Sequence, residues 1–207
     1  MREINLPLTA DAVRSLRVGD PVHLSGVIMT GRDAAHKWMI DTFIKKTRPP
    51  QGDDLEVYRA IRPILDGGVI YHCGPVVAGL ETGDYRFVAA GPTTSIREEP
   101  YQADVMHHFN LMGVIGKGGM GPKTLTACQE LPGVYLHAIG GAASLIAQSV
   151  TQVLGVYKME FGVPEAMWVI RVKDFPAVVT MDAHGGSLHA DVEQQSKQAL
   201  DRLLAPT

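Results

Sequence analysis

Residues 111–130 read LMGVIGKGGMGPKTLTACQE. An apolar run, Leu111 to Ile115, gives way to four glycines within GKGGMG, residues 116–121. A stretch of helical composition follows, from Thr124 to Glu130. Strand, glycine turn and helix in that order make the unit from which α/β folds are built. Gly116, Gly118 and Gly121 also satisfy G-x-G-x-x-G, which invites a dinucleotide reading. That fingerprint wants an acid at the end of the next strand to hold the ribose. The next strand here, VYLHAI, runs into Gly140 and Gly141 instead, and Pro122 breaks the Walker pattern before Lys123. A nucleotide-dependent oxidoreductase is therefore a distant reading.

A tight turn accounts for the glycines but not for Lys117. A cation beside a helix N-terminus opposes the macrodipole, on the order of a few tenths of a kcal/mol, unless an anion sits there. Such an anion would collect the lysine charge and the loop N–H groups together. The same anomaly occurs twice more. Arg32 follows a predicted strand ending near Thr30, and Arg97 follows one ending near Ala90. In parallel α/β sheets, positions just past strand ends gather on one edge. With Thr93, Thr94 and Ser95 alongside, the three cations predict an anion pocket. Asp33, Glu98 and Glu99 are adjacent in sequence, so solvated surface pairs are the alternative for any one of them.

Working outward, Thr9 is suited to cap a helix over TADAVRSL, and residues 22–29 predict a strand. Ala35, Met39, Ile40 and Phe43 recur at helical spacing within residues 32–46. Residues 47–54 read as a loop and 55–65 as a second helical stretch. Strands are expected at 69–73 and 85–90, with GLETGD as the turn between them. A helix over 101–109 follows, then strand 111–115, helix 124–130, strand 134–139 and helix 142–154. Strands at 156–161, 167–172 and 177–181 close the regular part. Strand–helix alternation in the middle, flanked by strand-rich ends, predicts a mixed α/β domain over residues 1–190, with 191–207 a polar, helix-prone tail.

At 207 residues, 45% hydrophobic and 20% charged, the chain suits a single globular domain. A formal net charge of -3 argues against nucleic acid as the partner. The apolar-looking stretch 134–150 is interrupted by His137, Gln148 and glycines, so no membrane span is expected. The opening MREINLPLTADAV has no apolar signal core, and Cys73 and Cys128 lack CxxC spacing. Free thiols and a cytoplasmic setting are the expectation.

GRDAAH at 31–36, GPTTSIR at 91–97, GKGGMG at 116–121, HAIGGAAS at 137–144 and KDFPAVV at 173–179 together carry a resemblance. In order and spacing, over roughly residues 16–182, the chain resembles the β subunit, or equivalent C-terminal domain, of the class I iron–sulfur fumarase and L(+)-tartrate dehydratase family. The resemblance implies a swivelling β/β/α domain. It also implies reversible hydration of a C4 dicarboxylate, fumarate to malate first, with tartrate or mesaconate-type substrates possible. Arg32, Thr93, Arg97 and Lys117 match positions that contact the dicarboxylate, with Thr93 and Lys117 in catalytic roles and Thr93 a candidate base. Gly118 and Gly119 would support them; His36, one turn beyond Arg32 on the same helix face, either supports that arginine or is a satisfied structural histidine.

The family further implies a [4Fe–4S] cluster held by a partner α subunit, whose open iron acts as a Lewis acid on the hydroxyl. An α2β2 heterotetramer is the assembly the resemblance implies. Two cysteines cannot supply three cluster ligands, so this chain is expected to bind no metal alone and to act only with that subunit. Glu98 departs from the family pattern, which has methionine there, and residues 47–67 look longer than usual. The contrasting hypothesis is a stand-alone anion-binding regulatory domain that uses the same cations without chemistry.

Overall fold

The computed structural model describes residues 2–204. Its elements run β1 (Arg2–Asn5), α1 (Ala10–Arg14), β2 (Pro21–Thr30), α2 (Asp33–Met39), α3 (Asp54–Leu65), β3 (Val69–Tyr71), β4 (Val76–Ala78) and β5 (Arg86–Ala89). There follow α4 (Glu99–Phe109), β6 (Gly113–Gly116), α5 (Pro122–Glu130), β7 (Val134–His137), α6 (Ala143–Ala147), β8 (Val150–Tyr157), β9 (Met167–Met181) and α7 (Leu188–Leu204). The main sheet has the order β1-β2-β3-β6-β7-β9-β8, and β4 and β5 form a separate hairpin. The strands from β1 to β7 in that order pair in parallel. β9 runs antiparallel to β7, to β8 and also to β2, so the ladder returns on itself.

Short, wholly apolar strands suit a parallel sheet covered on both faces. Val69 and Tyr71 pack into one core while Ile70 packs into the other; Ile115 and Val114 divide likewise, as do Leu136 and Tyr135. The first core is shared with α1, α6, β8 and the β4–β5 hairpin, the second with α2, α3, α4 and α5. The result is the expected β/β/α layering. Thr9 caps α1, its hydroxyl accepting the Ala12 N–H at 3.2 Å.

Several boundaries differ from expectation. The helix expected over 142–154 stops at Ala147, and β8 takes over. Two register shifts in the β8–β9 pairing explain the misreading. Each inserts a residue, so Val150, Val153 and Val156, three apart, all reach the first core and imitate a helical period. The strands expected at 167–172 and 177–181 are one strand, β9, carried through KDFP by an irregularity. Asp174 adopts φ 53° there, and its N–H donates to Ser25 Oγ at 3.0 Å. α2 ends in a π turn at Ile40–Ile44, where the Lys45 N–H reaches back to the Ile40 carbonyl. β1 and β4 were not anticipated; each is short and completed by a partner strand. The tail forms α7, which starts at Leu188 and buries no residue. Among the described residues, no helix is long and apolar enough to cross a membrane.

Candidate active site

The C-terminal ends of β2, β3, β6 and β7 point the same way, and the loops that leave them carry the predicted cations. Arg32 follows β2 directly as the extended residue ahead of α2, at φ -129° and ψ -159°. Lys117 follows β6. Arg97 arrives by a different route from the one expected, because the strand ending near Ala90 belongs to the hairpin and not to the parallel sheet. The segment GPTTS instead lies along the sheet edge as a strand-like insert. The Thr93 N–H donates to the His72 carbonyl at 2.7 Å, Lys117 N–H to the Thr93 carbonyl at 3.2 Å, and Ser95 N–H to the Lys117 carbonyl at 3.0 Å. A 3-10 turn at Ser95–Glu98 then delivers Arg97.

Close packing needs the glycines here. A Cβ at Gly116 would collide with Ser95 Oγ, and one at Gly74 with the Arg32 guanidinium. Gly118 and Gly119 both adopt φ 78°, the left-handed conformation glycine accepts without strain. A Cβ at Gly140 would stand 3.7 Å from Lys117 Cδ, so the loop after β7 flanks the lysine stem.

The charges are arranged unevenly. Arg32 Nη1 lies 3.1 Å from Glu165 Oε1, and the other Glu165 oxygen accepts the Ala34 N–H at 3.2 Å. Arg97 pairs with Asp33 at 2.5 Å, half exposed to solvent. Lys117 makes no ion pair among the described residues, and no other side chain of the trio is left so. Thr93 Oγ1 donates to the His72 carbonyl at 3.0 Å. One expectation fails outright. The start of α5, which was to lend its N–H groups to an anion, is already capped by Glu99. That carboxylate accepts from Gly121 N at 2.8 Å, Lys123 N at 2.9 Å and the Thr124 hydroxyl at 2.6 Å. The place a pyrophosphate would take is filled, which removes the dinucleotide reading as well.

Beneath the cations lies a buried polar network that the sequence did not announce. His36, read as supporting Arg32, is fully buried, and its Nδ1–H donates to the Arg32 carbonyl at 2.9 Å. His36 Nε2 and His72 Nε2 both face the side-chain amide of Gln102, at 3.1 and 2.9 Å. His72 Nδ1 lies 2.9 Å from Ser95 Oγ, which also accepts the Tyr135 hydroxyl proton at 2.8 Å. Burial holds both histidines below their ordinary range, His72 at about 3, so both are neutral at physiological pH. Glu165, Gln102 and His72 were missed; each comes from a distant segment, and only Glu99, two residues past Arg97, had a local signal.

The cysteines do not fit an iron–sulfur cluster. Cys73 belongs to the core on one face of the sheet and Cys128 to the core on the other. Burial pushes both thiols up to about 12, far from the thiolates a cluster requires. Among the described residues, the one grouping of histidine and acidic side chains close enough to share an ion, Glu3, His23 and Asp174, lies near the opposite end of β2.

Three cations on the loops at one edge of a β/β/α scaffold mark a mixed α/β domain with a basic sheet edge. Residues 1–192 match the family described as Fumarase C-terminus, and the chain belongs to that family. It is 51% identical over 203 residues to a Geobacillus stearothermophilus protein provisionally named fumarate hydratase class I, covering 98% of this chain and 36% of that protein. It is 35% identical over 190 residues to the L(+)-tartrate dehydratase subunit beta of Escherichia coli K12, covering 91% of this chain and 86% of that one. A Methanocaldococcus jannaschii protein provisionally given the same subunit name is 35% identical over 199 residues, 95% of each chain. The chain thus spans about a third of the Geobacillus relative and most of the two subunit-length ones.

Proposed function

We propose that this chain is the β subunit of a two-subunit hydro-lyase that adds water to, or removes it from, a C4 dicarboxylate, with fumarate and malate as the first pair to test. The observation that carries this reading is the cation edge: Arg32 and Lys117 directly follow the parallel strands β2 and β6, Arg97 pairs with Asp33 beside Arg32, and Lys117 has no ion pair among the described residues. A guanidinium fork grips a carboxylate through two parallel bonds, and a lysine acts as a point charge. Arg32 and Arg97 are assigned to the substrate carboxylates, in competition with Glu165 and Asp33. Lys117 is assigned to the charge that develops when a proton leaves the carbon beside a carboxylate. Thr93 keeps its proton on a peptide carbonyl, which cannot take it up. That geometry favours the hydroxyl oxygen as a contact to substrate over Thr93 as the base.

The exposed apolar side chains of Ile96 beside Arg97, Ile139 on the loop after β7 and Leu145 on α6 suit a surface that another subunit covers. The [4Fe–4S] cluster implied by the family is assigned to that α subunit, since the thiols of this chain do not fit it. The shared subunit naming of the tartrate dehydratase relatives supports the partner, and an α2β2 assembly is proposed with it.

The test is co-expression with a cluster-bearing partner, followed by iron and sulfide analysis and assays on fumarate, tartrate and mesaconate. The expected outcome is hydratase activity on one of the three from the complex, and neither activity nor stoichiometric iron from the chain alone. Cluster absorbance with matching iron and sulfide in the isolated, anaerobically reconstituted chain would overturn the two-subunit reading. A complex that binds these acids without turning any over would favour the regulatory anion-binding alternative.

A further inference from the structure

Glu98, next to Arg97 in sequence and near enough to feel the charges of Arg97 and Arg32, has no part in the function just described. Its side chain is 2% exposed, and its Oε2 has no hydrogen-bond partner among the described residues. That oxygen lies 3.7 Å from His36 Nδ1, whose proton is already given to the Arg32 carbonyl. Gln102, one turn later on the same helix face, holds the second unpartnered atom. Two neutral imidazoles turn Nε2 toward one atom of its amide, and His36 has spent its only proton on Nδ1. The atom they face is therefore the NH2 group, which can donate to both. The remaining amide atom is then a carbonyl oxygen. With Glu98 ionised, the network would contain two buried acceptors and no donor for either. Protonation of Glu98 removes the buried charge that no donor among the described residues compensates.

Charge counting leads to the same place. From α2, Glu98 is faced by Arg32, Asp33 and His36; from the loop ahead of β9, by Glu165; and from its own turn, by Arg97. Each guanidinium is already matched by one acid, Glu165 or Asp33. A third carboxylate among them has no free counter-charge.

We propose that Glu98 is a positioning residue of the dicarboxylate site, a buried neutral acid that leaves Arg32 and Arg97 to the substrate and draws them onto itself when it ionises. The proposal rests on the dicarboxylate reading above. Burial first, and Asp33 second, push the carboxyl up from 4.5 to about 8. A folded-state value raised in this way adds stability that is complete below 4.5 and is lost as pH rises toward about 8. If the dianion binds only the protonated form, its dissociation constant grows about tenfold between about pH 7 and pH 9. C4 dicarboxylates themselves are fully ionised over that range.

The experiment uses the assembled enzyme with Glu98 intact, with Glu98→Gln, and with Glu98→Met as a second neutral variant should the first fold poorly. The dissociation constant of succinate, which has no double bond to hydrate, is measured by calorimetry across that pH range. Steady-state KM and kcat for the working substrate are taken alongside, with thermal unfolding of the chain alone. The native enzyme should lose about tenfold in succinate affinity, with KM rising more than kcat falls. Both variants should change less than about twofold, and their unfolding midpoints should lack the decline the native chain shows as pH rises toward about 8. Variants that keep the native slope in affinity would overturn the proposal. Failure of the dicarboxylate reading looks different: no C4 dicarboxylate binds the native enzyme at any pH, while the unfolding profiles still diverge. That outcome would retain the buried acid and discard its hold on substrate.

Discussion

Lys117 is the residue on which the site reading can be tested most cleanly. It is half-buried, has no acidic partner among the described residues, and its stem lies beside Gly140 in the loop after β7. Replacing it with methionine strands no buried charge, so Lys117→Met should fold and assemble as before. Turnover in the assembled enzyme should fall by roughly a hundred- to thousandfold, the usual effect of removing one group that stabilises a developing anion. A steady-state assay at saturating substrate decides it; an unchanged kcat would make Lys117 an incidental surface lysine. At this scale the sequence was informative because a cation near a helix start is anomalous wherever it occurs. It could not supply the acids. Glu165, which pairs with Arg32, stands 131 residues beyond Ala34, the residue whose N–H it also accepts.

The glycine loop and the helix after it behave as one element, held by Glu99 at the start of α5 and by His189 against Gly119. A Cβ at Gly118 would enter open space, whereas one at Gly119 would fall inside the His189 ring. Both residues share the same left-handed φ. Gly118→Ala should therefore cost about 1–2 kcal/mol of backbone strain. Gly119→Ala should cost more, because the His189 hydrogen bond to Thr180 at 2.9 Å must also be given up. Urea unfolding of the two variants measures the difference, and equal midpoints would show that His189 moves aside freely. Element types were legible where the apolar period was undisturbed, as in β2, α3, α4 and β7. They were not legible at 142–154, because two bulges convert a strand's period of two into an apparent period of three.

For the whole molecule, the tie that joins most segments is Asp54. It accepts from Trp38 Nε1 at 2.7 Å, Gln51 N at 2.8 Å and Arg48 Nη2 at 3.0 Å, and lies 2.7 Å from Lys158 Nζ. Helix α2, the 47–53 loop, α3 and the link between β8 and β9 thus meet at one buried carboxylate. Burial pushes its pKa upward, but Lys158, the Gln51 N–H and Trp38 prevail and hold it at about 2. A value depressed below the ordinary 3.8 means the tie is fully stabilising above that pH and fails as pH falls toward about 2. Asp54→Ala leaves Lys158 buried with only the exposed Asp53 and Glu160 beside it. It should lower stability by about 3–5 kcal/mol, the cost of breaking a buried pair. Denaturant unfolding at neutral pH checks it, and a loss below about 1 kcal/mol would place the tie among surface pairs. The long 47–67 segment, an oddity in the sequence, is the part of the chain this tie fastens.

The amino-acid sequence by itself determined the alternation of strand and helix, the family-bearing segments, the three cations and a cysteine content too small for a cluster. All of these are local: they depend on residue type and on periods within about ten residues, which backbone sterics and burial translate directly into structure. Only the tertiary structure decided which acid faces which cation, that Glu99 caps α5, that β9 returns the sheet to β2, and that Glu98 is buried within the field of both arginines. Those outcomes depend on desolvation and on distances between segments far apart in the chain. A carboxylate is a surface charge or a buried acid according to what the rest of the fold places around it.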